Sequence, residues 1–128
     1  MRNIIIATML SLSVILSACG AGSSNGAAVA AEGYINALAS KDETALVSLS
    51  CAEWESDAIV ELDSFQLVTV ALDGLSCQQT GTDNDTALVD CQGKMLMSYN
   101  GEPQELDLST RTYEVVEQGD DWLVCGVR

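Results

Sequence analysis

The chain has 128 residues, with 19 acidic side chains against five basic ones, no histidine and a net charge of −14 at neutral pH. That length makes one domain and no more. The charge argues against nucleic acid and anionic lipid surfaces as partners, and the missing histidine removes the commonest general base and the commonest metal ligand together.

Arg2 opens a positive but thin start, followed by an apolar run from Ile4 to Leu16. A spanning helix needs roughly 20 apolar residues, so this run is short for one. It ends in Leu16-Ser17-Ala18-Cys19, an apolar residue, two small residues and a cysteine. The pattern resembles the lipobox of bacterial lipoproteins. That resemblance implies a signal peptide over residues 1–18 and removal of that peptide. It also implies diacylation of the Cys19 thiol and a location on the extracytoplasmic face of a bacterial membrane. Each buried CH₂ of an acyl chain contributes about 0.8 kcal/mol, so several chains on one residue make a durable anchor. The mature chain then has 110 residues and, with Arg2 gone, four basic residues against 19 acidic, a net charge of −15. Residues 19–27, rich in Gly and Ser, read as a flexible tether, with the folded domain over 28–128.

Helical spacing runs from Ala27 to Ala39, with Ala27, Ala31, Tyr34 and Leu38 on one side and Glu32, Asn36 and Ser40 on the other. Ser40-Lys41-Asp42-Glu43 fits a capping box with Ser40 at the cap, starting a second helix through Leu49. Trp54, Ala58, Ile59 and Leu62 predict a third helix over Ala52–Leu62, with Glu53, Glu55, Asp57 and Glu61 turned to solvent.

The period then changes. Gln66 to Leu72 alternates as a strand, extended through Leu75 and Cys77 past a bulge at Asp73-Gly74. Gly81 to Asp85 reads as a turn. In the next strand Ala87, Val89, Cys91, Gly93, Met95 and Met97 form the buried set. Asn100-Gly101 is a strong hairpin signal. Leu106 to Val116 predicts one further strand, and a turn over Gln118–Asp121 leads into Trp122–Val127. Helices first and strands after predict an α+β fold, N-terminal helices packed on a curved four-stranded antiparallel meander.

The stretch from Ala31 to Leu38, then Lys41-Asp42, then Gly119-Asp120-Asp121-Trp122-Leu123-Val124, resembles the nuclear-transport-factor-2-like (cystatin-like) fold, in particular small lipoproteins of unknown function. The resemblance covers most of Ala28 to Arg128. It implies a cone whose mouth can hold a ligand, and some relatives are isomerases, cyclases or dehydratases built on a buried Asp.

Four cysteines remain beside Cys19, an even number that predicts two disulfides in an extracytoplasmic domain. Three pairings are possible. Cys77 and Cys91 lie symmetrically about Asn84, at the middle of the turn, so they should face each other across adjacent strands. Cys91 and Cys125 sit two strands apart, about 10 Å, too far for a bridge. Cys125 is therefore expected to meet Cys51. The spacings carry no Cys-x-x-Cys metal knuckle.

Two functional readings follow. One is a lipid-anchored binding or accessory module without catalysis, a cofactor or a metal, its partner an unidentified protein or small molecule, with Tyr34, Leu38, Met95, Met97 and Trp122 as candidate pocket-lining residues. The other is a small isomerase or cyclase in which an Asp–Tyr pair abstracts a proton beside a carbonyl. Its candidate acids are Asp63, Asp73, Asp90 and Glu114, its donors Tyr34, Tyr99 and Tyr113. Asp83-Asn84-Asp85 is not an EF-hand, because Lys94 stands where the bidentate Glu belongs.

Overall fold

The structure, a computed structural model, describes residues 25–128. The expected signal peptide over residues 1–18, the expected lipidation site Cys19 and the expected tether up to residue 24 lie outside the described residues.

Helix α1 spans Gly26–Ser40 and buries Ala27, Ala30, Ala31, Tyr34, Ile35 and Leu38. Its small side chains let it lie close against the sheet. Lys41, in the left-handed conformation at φ 58°, ends it. The capping box expected at Ser40 does not form. Ser40 is the last residue of α1, and its hydroxyl donates to the Asn36 carbonyl at 2.8 Å. Asp42 caps α2 (Glu43–Ser48) instead, accepting the Ala45 N–H at 3.0 Å. The left-handed turn at Lys41 leaves Asp42 extended, which is the backbone a cap requires.

The third helix, α3, runs Glu55–Ser64 and so starts later than expected. The Cys51 N–H donates to the Val124 carbonyl at 2.9 Å, and that bond holds the chain in a turn until Trp54 takes the cap position. Glu55 and Asp57 then fill the first turn, where the helix dipole favours negative charge.

The sheet is antiparallel and five-stranded: β1 (Thr69–Asp83), β2 (Thr86–Tyr99), β3 (Glu102–Asp107), β4 (Thr112–Gln118) and β5 (Asp121–Val127). The order is β1-β2-β4-β5, with β3 and β4 following each other along the same edge of β2. The expected meander of four strands is therefore corrected. Leu106–Val116 is not one strand, because a 3₁₀ turn over Leu108–Thr110 interrupts it. Asp107 caps that turn, accepting from the Ser109 N–H at 3.0 Å and its hydroxyl at 2.7 Å, while Leu108 is fully buried.

The bulge predicted at Asp73-Gly74 is present: the register shifts between Asp73 and Ser76, with Gly93 as the opposing residue. A Cβ on Gly93 would lie 2.6 Å from the Asp73 oxygen and from the carbonyl carbon and oxygen of Gly74, so no side chain fits. Bulges bend and twist the strands that carry them, which curves the sheet around the helices. The α+β class is as expected, and three helices on a curved antiparallel sheet is the arrangement that the cone resemblance implies.

The core sits between the helices and the sheet. Ala87, Val89, Cys91 and Met95 are buried from β2, as the alternation predicts. Tyr34 of α1 meets Tyr113 of β4 edge to face, with ring centroids 6.1 Å apart.

Candidate functional site

One concavity of about 560 Å³ opens between α3 and the far ends of β4 and β5. Its helical wall carries Trp54, Asp57, Val60 and Glu61. Asp57 and Glu61 are four residues apart and so share a face of α3, while Ala58 and Leu62 turn into the core. The opposite wall carries Arg111, just after the 3₁₀ turn, and Val127 and Arg128 at the end of β5.

A hydrogen-bonded chain runs along the floor. The Trp54 Nε1–H donates to the Tyr34 hydroxyl at 3.1 Å, and that hydroxyl donates to Glu61 Oε2 at 3.1 Å. Glu61 Oε1 accepts from Arg111 Nη1 in a partly buried ion pair. Both Glu61 oxygens are thus committed, and the buried phenol has a donor and an acceptor. Arg128 closes the far side, with its Nε–H donating to Glu114 Oε1 at 2.6 Å.

Burial, and then the charge of Glu61, pushes Tyr34 far above the usual phenol range. Burial likewise raises Tyr113. Burial opposes the charge on Arg111, but the Glu61 carboxylate outweighs it and holds the guanidinium above its ordinary value. Both buried phenols therefore stay neutral and available as donors. The consequence for stability has a definite sign. A group whose folded pKa is raised binds its proton more tightly in the native state. Its contribution is complete below the unfolded value of about 10 and is lost as pH climbs toward the folded value. We expect stability to fall from about pH 10 upward, with tyrosinate absorbance from Tyr34 and Tyr113 appearing together with unfolding. Phenolate signal from both at pH values where the protein is still folded would contradict this.

The candidate residues from sequence fall elsewhere. Tyr34, Leu38 and Met95 are fully buried in the core, and Met97 and Trp122 are partly buried against it. None of the five lines this concavity, although Tyr34 reaches its floor through the hydroxyl. Asp63, Asp73 and Tyr99 are exposed. Asp90 accepts from the hydroxyls of Thr112 at 2.7 Å and Thr80 at 3.1 Å, and Glu114 is held by Arg128. Asp90 also lines a second, smaller concavity of about 350 Å³, an outward-facing and largely polar surface with Gln78, Gln92 and Ser109.

Glu61 was expected on the solvent face of its helix, and Arg111 carries no local motif. They lie 50 positions apart, so no spacing rule points from one to the other.

The four cysteines among the described residues stand as two disulfides. Cys77 and Cys91 are direct cross-strand partners with Cα atoms 4.0 Å apart. Cys51 and Cys125 have Cα atoms 5.2 Å apart. Cys125 is the extra residue of a bulge between β4 and β5, and this turns it toward Cys51. Among the described residues no helix is long and apolar enough to cross a membrane, and no group of three metal-ligating side chains converges.

No family model and no curated protein matches the sequence. The solution structure of a SEC-C motif containing protein from Rhodopseudomonas palustris is similar in fold, with a TM-score of 0.53 at 13% identity, over 80% of this chain and 79% of that one. A variant of Rd1NTF2_05 aligns with a TM-score of 0.48 at 12% identity, over 76% of this chain and 90% of that one. At this identity the likeness to the Rhodopseudomonas palustris protein concerns the fold alone.

Proposed function

We propose that this chain is a lipid-anchored, extracytoplasmic binding module, held to a bacterial membrane by acylated Cys19 and stapled by its other cysteines. The observation that carries the reading is Leu16-Ser17-Ala18-Cys19 closing an apolar run, ahead of a domain whose remaining four cysteines are all at disulfide distance from a partner. Disulfides of this kind persist in oxidising compartments. The cysteine left over is then the anchor.

What supports binding over proton-transfer chemistry is the arrangement of the interior. Tyr34, Leu38 and Met95 fill the space beneath the helices, and neither Asp63 nor Asp73 lines a concavity described above. The tyrosine–carboxylate pair that does exist, Tyr34 with Glu61, is closed by Arg111.

Intact-mass measurement of the non-reduced protein from bacterial membranes tests the anchor. The expected species begins at Cys19, carries acyl chains and is four hydrogens lighter than the fully reduced chain. Cys19→Ala is expected to leave the precursor unprocessed and unacylated. A wild-type chain that retains residues 1–18, or an unacylated Cys19, overturns the reading.

A further inference from the structure

We propose that the concavity between α3 and the end of β5 binds a small organic cation, its charge on Asp57 and its hydrocarbon against Trp54, Val60 and Val127, and that it opens away from the anchored end of the domain. This rests on the binding-module reading and supplies its ligand class.

Charge pairing decides the sign of the ligand. Every cation among the described residues is already engaged. Lys41 Nζ donates to the Val68 carbonyl at 2.6 Å, and Lys94 pairs with Glu105 at 2.9 Å. Arg111 pairs with Glu61, and Arg128 with Glu114 and, at 3.6 Å, with Asp83. An anionic ligand would therefore meet guanidinium groups whose charge is already offset, Arg111 by Glu61 and Arg128 by Glu114 and Asp83. Asp57 is the opposite case: it lines the concavity and makes no side-chain hydrogen bond or ion pair among the described residues. The charges that line the concavity balance, Asp57 and Glu61 against Arg111 and Arg128, and Glu114 and Asp83, which pair with Arg128 from outside the wall, bring the immediate surroundings to −2. That sits in the field of a chain with net charge −14, which draws cations toward it.

The rest of the wall suits the body of such a ligand. Val60 is 69% exposed, an apolar side chain that the core does not use. Trp54 is partly buried, and its bond to the Tyr34 hydroxyl fixes the indole before any ligand arrives. A pre-placed indole is the best aromatic partner for a cation, and a fixed one saves ordering cost on binding. The concavity, about 560 Å³, is wide open to solvent, which suits a small ligand held by one face and one charged end.

The direction of the opening follows from where α1 begins. A Cβ on Gly26 would lie 2.2 Å from Trp122 Nε1, so the start of α1 is pressed onto the first residues of β5, beside the β4–β5 turn. Arg111, Val127 and Arg128 lie at the opposite ends of the same two strands. Seven-residue strands such as these span about 20 Å. Seven peptide links, a reach of at most about 25 Å, join Cys19 to Gly26, and the chain enters the domain at the turn end, which is therefore the anchored end.

The test uses the full acylated protein in detergent micelles. Phenethylammonium and a matched phenylpropionate are titrated while the Trp54 indole N–H resonance is followed. Phenethylammonium is expected to bind and shift Trp54, more weakly as salt rises, and phenylpropionate is not. Asp57→Asn is expected to weaken cation binding by about tenfold, and Asp63→Asn, an exposed carboxylate on the same helix, to leave it unchanged. Equal binding of the carboxylate, no binding of the cation, or equal effects of the two substitutions would overturn the site. In vesicles, a lipid-borne paramagnetic label is expected to broaden Trp122 before Trp54; the reverse order overturns the orientation. The intact mass of the same sample reports acylation separately. Unacylated protein that binds the cation therefore removes the anchor and leaves the site, while acylated protein that does not bind it does the reverse.

Discussion

Gly93→Ala is expected to destabilise the domain by about 3–5 kcal/mol, enough to unfold a protein of ordinary stability. Gly93 has φ 103°, which disfavours any Cβ, and it faces the bulge in β1 at main-chain contact. The new methyl group would stand 2.6 Å from three backbone atoms, none of which is the end of a flexible side chain. Either the bulge opens or β2 moves away from β1, and the disulfide between Cys77 and Cys91 lies just beyond. Gly101→Ala separates the two contributions. That residue also has positive φ, at 82°, but nothing lies within 4 Å of its added Cβ. It should show only the conformational cost, about 1–2 kcal/mol. Denaturant midpoints for the two variants measure the difference directly, and equal losses would mean that the close approach at Gly93 is not what the position demands.

Replacing Cys51 and Cys125 together by alanine is expected to cost about 4 kcal/mol, more than the roughly 3 kcal/mol for the Cys77 and Cys91 pair. The first bridge joins positions 74 apart and the second positions 14 apart, so the first removes more freedom from the unfolded chain. It also has the larger structural role. Around it, the Cys51 N–H donates to the Val124 carbonyl and the Val124 N–H donates to the Leu49 carbonyl, a short parallel pairing that covers the β5 edge. Loss of the bridge should loosen the start of α3 and with it Trp54 and Glu61. The check is denaturant unfolding of both double variants and of the reduced wild type, with hydrogen exchange at residues 49–55. If the Cys77 and Cys91 variant proves the more destabilised, the loop-entropy account fails.

Much of the fold was legible because it is written in near neighbours. The alternation from Ala87 to Met97, the Asn100-Gly101 turn and the small-residue face of α1 each rest on contacts within a few positions. The Ser40 cap failed at the same range. Ser40 and Asp42 are both good caps, and the choice between them turned on whether Lys41 adopted the left-handed conformation. Leu106–Val116 misled for a related reason. Leu106 and Leu108 alternate as a strand does, but Tyr113 and Val115 stand in the opposite phase, because Asp107 and Ser109 close a 3₁₀ turn between them that lets Leu108 fill the core.

The sequence by itself determined the class of fold, the acidic surface and which cysteines can reach one another, since periodicity, composition and strand spacing need no distant partner. The tertiary structure alone decided where a ligand can sit. It filled the space beneath the helices with Tyr34, Leu38 and Met95, so the concavity moved to the edge of α3. It joined Glu61 to Arg111 across 50 positions and left Asp57 beside them without a partner among the described residues. Which charges are neutralised depends on distances that only the folded chain sets, and the character of the site is what remains unpaired.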